Sequence, residues 1–388
     1  MCPTDNRVDA TEFVRAPQFL LVDPVTGLDT GLVRRKENLL INGSFRFAQR
    51  QTPGTLTTYS NTSGRSYCAD RWGVSNGSAS TQFQRADASG TPETGLQARF
   101  YGTFKKITNA TKVIVSQVIE GVQVMPVRGR VVRLQLKLKA STSMVLRVGL
   151  LYLTSSGTID TIPATFFSAA GAAGTDPTWG TNLTAIAPLR SDDVAGGTAA
   201  AISGNGLSCS VTTAWQQFGA TFLVPASCLN LVVVVFTNGL PAVNDTFSIA
   251  EAGLFDGRDL QDYVPRHYQH ELMLCQRYFQ KSFAVDTAPA QNVGANSGEF
   301  DFLAGKAAAT LQHGNLRFPV TMRAAPTATL YNPAAANAQA RNKTGAADCT
   351  SSSADVLKEN MAHITATGDG TLAVGDLIGV HYALDAEL

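Results

Sequence analysis

An excess of either positive or negative charge is missing from this sequence. Asp, Glu, Lys and Arg supply 16% of its 388 residues and cancel to a formal +1. Without a basic field nothing gathers phosphate backbones or anionic headgroups, so nucleic acid is not expected as a partner. Long apolar runs are missing as well. The strongest, Leu229 to Phe236, is interrupted by Asn230 and falls far short of the ~20 residues that cross a bilayer. It reads as one buried strand, and membrane insertion is not expected. The opening Met1-Cys2-Pro3-Thr4-Asp5-Asn6 has no basic stretch leading into an apolar core, which predicts a chain that folds in the cytosol where it is made.

Motifs that carry chemistry are also scarce. There is no GxSxG elbow, HExxH pair, P-loop or regular DxDxDG calcium loop. The six cysteines, at 2, 68, 209, 228, 275 and 349, lack CxxC or metal-type spacing, so free buried thiols are expected rather than a bridge such as Cys209 to Cys228. His267 and His270 stand three apart and could reach one metal, but a solvated helix start is the preferred reading. Asp192-Asp193 lies in a Gly/Ala-rich loop and reads as solvated. Sequons such as Asn42-Gly43-Ser44 and Asn244-Asp245-Thr246 read as by-products of turns. No cofactor, no metal and no enzymatic activity are expected.

What is present points to strands. Gly, Thr, Ser, Ala and Asn are abundant and aromatics few, which suits short strands joined by many turns. Val132, Leu134, Leu136 and Leu138 alternate with Arg133, Gln135, Lys137 and Lys139, the pattern of a strand with one dry and one wet face. Further strands are predicted at 113–119, 145–153, 218–224, 229–236 and 247–255, separated by Gly, Pro, Asn and Ser. Strands in series without intervening helices predict an all-β fold, a sandwich or jelly roll.

The order along the chain gives four parts. Residues 1–37 have scattered apolar side chains, among them Phe13, Phe19, Leu20 and Leu21, and no sustained period. They read as an extended arm, either an attachment segment or a strand packed on its own domain. Residues 38–260 carry the sandwich pattern. Within 261–282 a linking helix is predicted from Pro265 to about Lys281. It places Tyr268, Leu272, Cys275 and Phe279 on one face and His267, Glu271, Leu274 and Tyr278 on another, so it would wedge between two domains or between copies of the chain. Residues 283–388 read as a smaller C-terminal β domain, with strands near 300–302, 316–320, 328–331 and 377–382.

Several stretches, in order, carry a family pattern: Asn38-Leu39-Leu40-Ile41-Asn42-Gly43-Ser44-Phe45, Ala48-Gln49-Arg50, Tyr67-Cys68-Ala69-Asp70-Arg71-Trp72, Ser116-Gln117-Val118-Ile119-Glu120-Gly121, Glu251 to Gly257 and Leu274 to Ser282. With the ending Tyr382 to Leu388, the set resembles the jelly-roll region of phage tail-fibre and tail-associated proteins over roughly residues 38–388. The resemblance implies a virion protein assembled in the host cytoplasm, commonly a homotrimer in contact with other virion structural proteins. It also implies a jelly roll similar to carbohydrate-binding modules, and so host-surface polysaccharide as a partner. Capsid decoration, head-fibre or collar proteins are the alternative. A polysaccharide depolymerase is the minor one, since no β-helix period appears.

A sugar site needs a flat apolar surface and planar polar groups. The candidates are Trp179, Trp72, Tyr67 and Arg71. Trp179 sits in a Pro/Gly-flanked loop, as an exposed platform or a loop anchor. For Trp72 the resemblance also implies a core role, with Asp70 and Arg71 pinning a strand end. Trp215 reads as core. Carbohydrate-binding jelly rolls often hold a calcium where Asn42 and Glu251 would stand, but Ala250 occupies a neighbouring acid position, so calcium is not expected.

Overall fold

The computed structural model describes residues 36–388 apart from 61–63, 78–79, 91–92, 109–111, 170–173, 193–200, 204–205, 240–241 and 295–297. Phe13, Phe19, Leu20, Leu21 and Asp193 therefore lie outside the described residues. Residues 1–37 and Asn38–Leu388 are separate units, and the described strands and helices all belong to the second.

Among the described residues this unit is all-β, a jelly-roll sandwich, a short helix and a smaller β part. Of the sandwich's two sheets, the seven-stranded one runs Thr57–Ser60, Ser80–Asp87, Phe100–Lys106, Thr246–Asp256, Val131–Ala140, Gln216–Leu223, Pro188–Asp192. The eight-stranded sheet is centred on Met144–Leu153, Leu231–Thr237 and Ile114–Ile119, with Trp72–Ser75 and Ser66–Ala69 at one edge. All the pairings are antiparallel, and the chain repeatedly crosses from one sheet to the other, as a jelly roll requires. Alternation decides the core: Val132, Leu134, Leu136 and Leu138 meet Leu231, Val233 and Val235 between the sheets. Each such buried aliphatic contributes about 1.5–3 kcal/mol relative to exposure.

The stretch before the first strand threads the edge of the sandwich, and its motif has a steric reason. Asn42 and Phe45 adopt left-handed backbone, φ 57° and 55°, and Gly43 approaches Ala252 so closely that a Cβ would lie 2.1 Å from its carbonyl oxygen. Ala252 N–H donates to the Gly43 carbonyl at 2.9 Å. The contact falls on a bulge in Thr246–Asp256 between Ala250 and Gly253, where Glu251 also takes positive φ, 50°. Two glutamines replace missing strand partners: Gln117 exchanges two hydrogen bonds with the Ile41 backbone, both 2.8 Å, and Gln135 does the same with Gln261, at 2.5 and 3.1 Å.

A four-residue helix, α1 (Gly121–Val124), follows the strand Ile114–Ile119. The linking helix, α2, spans Tyr268–Gln276, shorter at both ends than the predicted Pro265 to Lys281. Arg266 is held outside it by donating to the carbonyls of Leu40 (2.9 Å) and Asn38. At the other end Phe279–Lys281 leaves the helix to pair with Leu377–Asp385. Phe279 is thus corrected from a helix-face residue to a strand residue. Tyr268, Leu272 and Cys275 do share one face, covered by Ile41, Phe47 and Tyr278 of the same chain.

The C-terminal part is organised on Leu377–Asp385, which pairs with Phe279–Lys281, Phe300–Leu303, Thr327–Tyr331 and Arg341–Asn342. A three-stranded sheet, Leu311–Arg317, Met361–Thr367 and Ser351–Asp355, completes it. Its core includes Leu316, Ile364, Ile378 and Val380.

Candidate functional site

The four side chains expected to contact glycan do not come together. Trp72 is fully buried. Its ring stacks on Phe45 with centroids 4.9 Å apart, and Nε1 donates to the Asn42 carbonyl at 3.0 Å. Arg71 is also buried. It pairs with Glu387, donates to the Val118 carbonyl at 2.6 Å and lies 3.5 Å from the centroid of the Tyr278 ring. For both the glycan reading is corrected and the structural one implied by the resemblance remains, because neither presents a surface to solvent.

Tyr67 is half-buried, and its hydroxyl donates to the Leu388 main-chain oxygen at 2.6 Å. Around it Arg50 reaches Asp385 at 2.8 Å and Glu387 at 3.5 Å, with its guanidinium 3.8 Å from the centroid of the Phe279 ring. Asp70 accepts from Gln49 at 2.6 and 3.1 Å. Burial raises the pKa of Asp70, and Arg50 opposes that rise. This hub joins the segment 384–388 to the sandwich. Removing one member would leave its partner charge buried, which typically costs about 3–5 kcal/mol.

Trp179 is half-buried and anchors a loop. It meets Phe166 and Phe236 edge-on, each with centroids 5.8 Å apart. With Phe167, Trp179 and Phe166 cover the outer side of the eight-stranded sheet, against Ile114, Val118, Leu151, Leu183, Val232, Val234 and Phe236.

Among the described residues the outer side of the seven-stranded sheet is crossed by polar segments rather than by such an apolar layer, and it gathers groups that lie far apart along the chain. Trp215, expected in the core, is half-buried on this outer face. The signal is present in the sequence: Phe218, Ala220 and Phe222 point inward, so alternation counted back from Phe218 turns Gln217 and Trp215 outward. Gln217 stands opposite Lys137. Trp215 meets Tyr101 edge-on, centroids 5.2 Å apart, with the Lys139 ammonium 5.2 Å from the Trp215 ring centroid.

A turn from Glu93 to Ala98 binds these strands together. The Glu93 carboxylate accepts from Lys139 at 2.7 Å, from the Tyr101 hydroxyl at 3.2 Å and from Trp215 Nε1 at 3.2 Å. Burial pushes the Glu93 pKa up, but these hydrogen bonds together hold it below its ordinary value. Burial, helped by Glu93, pushes the Tyr101 phenol up to about 12. Glu251, aimed by its left-handed bulge, accepts from the backbone N–H groups of Gln97 and Ala98 and meets Lys137 at 2.7 Å.

Beside this ion pair lies a recess of about 50 Å³ bordered by Gln97, Gln217, Leu260, Asp262 and Tyr263. Enclosing small-molecule pockets hold roughly 300–1,000 Å³, so this recess would take the edge of a ligand rather than engulf it. A larger hollow of about 240 Å³, bounded by Thr142, Ser143 and Thr237, has no aromatic residue among its described lining.

Two other polar sets are accounted for structurally. Ser282 and His381 (Oγ to Nδ1, 2.9 Å) resemble a nucleophile and base, but Ser282 Oγ also accepts the Tyr382 N–H at 3.0 Å and closes the sheet. The side chains of Asn42 and Glu251 face different partners: Asn42 donates to the carbonyls of Phe47 and Asp70, at 2.7 and 3.0 Å. His267 and His270 are exposed. Among the described residues no three His, Cys, Asp or Glu are grouped to hold a metal ion.

No protein-family model and no curated protein matches the chain. Among solved structures it is similar to the CBM22-1 xylan-binding domain from Paenibacillus barcinonensis Xyn10C, at 11% identity and TM-score 0.30, over 58% of this chain and 98% of that one. It is similar to a CBM4 structure at 13% identity and TM-score 0.27, over 56% and 98%. It is also similar to the enzymatically active domain of Bacteriophage CBA120 tailspike protein 4, at 12% identity and TM-score 0.29, over 57% of this chain and only 21% of that one. Likeness of this extent concerns strand arrangement and carries nothing about what this chain binds.

Proposed function

We propose that this chain is a non-enzymatic bacteriophage virion protein of the tail-fibre or tail-associated kind, which adheres reversibly to host-surface glycan through the outer face of its seven-stranded sheet. One observation carries the adhesive part. That face carries an aromatic pair, Tyr101 and Trp215, and, linked to it through Gly95 and Lys137, a recess bordered by planar amides and a carboxylate, the chemistry that a sugar ring and its hydroxyls require. The recess is small, so a single site is weak, and a homotrimer would bind through avidity. Residues 1–37 serve as the attachment segment to other virion proteins in this reading.

Glycan-array binding by the purified chain tests it. Wild type is expected to bind a defined subset of glycans, and Trp215→Ala combined with Gln217→Ala to lose at least about tenfold in affinity, the equivalent of about 1.4 kcal/mol. A folded wild-type chain that binds no glycan would leave a decoration or collar role. Full binding by the double variant would move the site elsewhere.

A further inference from the structure

We infer that the recess selects an uncharged glycan, one that offers a vicinal diol to the Asp262 carboxylate, and that acidic sugars are excluded. This rests on the glycan reading and narrows it. Lys137 is the one cation among the described residues bordering the recess, Lys139 is the next outward residue on its strand, and both are already used. Lys137 is consumed by Glu251 at 2.7 Å and by the Gly95 carbonyl. Lys139 is consumed by Glu93 at 2.7 Å, beneath the two aromatic rings. Neither ammonium is left to receive a uronate, sialate or phosphate.

The uncommitted groups are of the opposite kind. Among the described residues the side chains of Gln97, Gln217 and Asp262, all bordering the recess, have no hydrogen-bond or ion-pair partner, and Gln97 and Asp262 are exposed. Two amides offer both donors and acceptors, whereas an ionised carboxylate only accepts. Two adjacent hydroxyls can donate together to its two oxygens, a charge-assisted pair roughly twice as strong as neutral bonds. An anionic sugar brought there meets Asp262 with no uncommitted cation among the described residues bordering the recess to offset the repulsion. Leu260, 56% exposed at the rim, offers apolar surface to the C–H side of a ring.

The measurement is titration of the full chain with neutral oligosaccharides and with matched ones bearing uronate, sialate or phosphate. Wild type, Asp262→Asn and Asp262→Glu are compared, and all three are expected to fold because the position is exposed. Neutral ligands should bind with an affinity indifferent to added salt. Asp262→Asn should weaken them about tenfold to a hundredfold, Asp262→Glu should recover part of the loss, and periodate cleavage of the ligand's diols should abolish binding. Preference for acidic ligands, or tighter binding by Asp262→Asn, overturns this inference while leaving the adhesive face in place. Silence across both ligand sets removes the adhesive reading and this inference together.

Discussion

In the eight-stranded sheet the strand Leu231–Thr237 is dry on both faces, whereas in the seven-stranded sheet Val131–Ala140 is dry on one. Leu231, Val233 and Val235 face the sandwich core, and Val232, Val234 and Phe236 face the layer that contains Phe166, Phe167 and Trp179. Across the sandwich, the side chains outside Leu134, Leu136 and Leu138 are Arg133, Gln135, Lys137 and Lys139; the connection through Arg258 and Gln261 buries the first two, and among the described residues no apolar layer covers the four. The same pleat thus serves two purposes. Where apolar loops return over a sheet its outer positions become core, and where a polar turn and connection cross it they stay polar. An open polar face with aromatics on it is the exception that calls for a ligand, because scattered exposed apolar residues need no explanation but a built cluster does.

The most severe way to break this contrast is to put a charge on the covered face. Val234→Asp places a carboxylate under the Trp179 layer and is expected to cost more than about 3 kcal/mol, enough to prevent folding in a marginal protein. Gln217→Asp, the same chemistry on the open face, should stay within roughly 0.5 kcal/mol of wild type. Urea unfolding of the two variants gives the comparison directly. Equal stabilities would mean that the covering layer is not packed on the strand.

Much of this contrast is legible in the sequence. The alternation from Val132 to Lys139 announces one wet face, and the unbroken run around Val232 to Val235 announces a strand dry on both sides. What escapes is non-local. Arg71 reads as a glycan candidate or as a pin for a strand end until Glu387, 316 residues away, is brought to it. Phe279 continues a helical spacing until the distant strand Leu377–Asp385 claims it, and Trp179 reads as a platform or a loop anchor until Phe236 beneath it decides for the anchor. Trp215 is a different failure: its outward direction follows from the period of its own strand, and only a preference for burying tryptophan hides it. Glu93 and Asp262 carry no local signature, since their positions depend on how one turn and one connection cross the sheet.

A milder intervention separates the two half-buried tryptophans. Trp179→Ala removes the centre of the covering layer and is expected to cost about 2–3 kcal/mol without altering glycan affinity. Trp215→Ala loses one hydrogen bond to Glu93 and part of an aromatic pair, about 1 kcal/mol of stability, and should weaken glycan binding. Thermal unfolding and array binding on the same preparations read both. If Trp179→Ala abolished binding while Trp215→Ala spared it, the roles of the two faces would have to be exchanged.

The smallest effect expected is a titration confined to the open face. The pKa of Glu93 in the folded chain lies below its ordinary value of about 4.5, held there against burial by Lys139, Tyr101 and Trp215. A carboxylate with a depressed folded value stabilises the fold fully above its unfolded pKa, and that contribution is lost as pH falls through the folded value. Between neutral pH and pH 5 the clamp should therefore hold. Below about pH 4.5 stability should begin to decline, and the emission of Trp215, taken as the difference between wild type and Trp215→Phe, should shift as the indole loses its acceptor. Glu93→Gln keeps an acceptor but no charge, so its stability should be lower at neutral pH and flatter in acid. A Glu93→Gln protein with the same acid slope as wild type would show that this turn does not bind the strands of the open face together, and the polar cluster would then owe its order to the sheet alone.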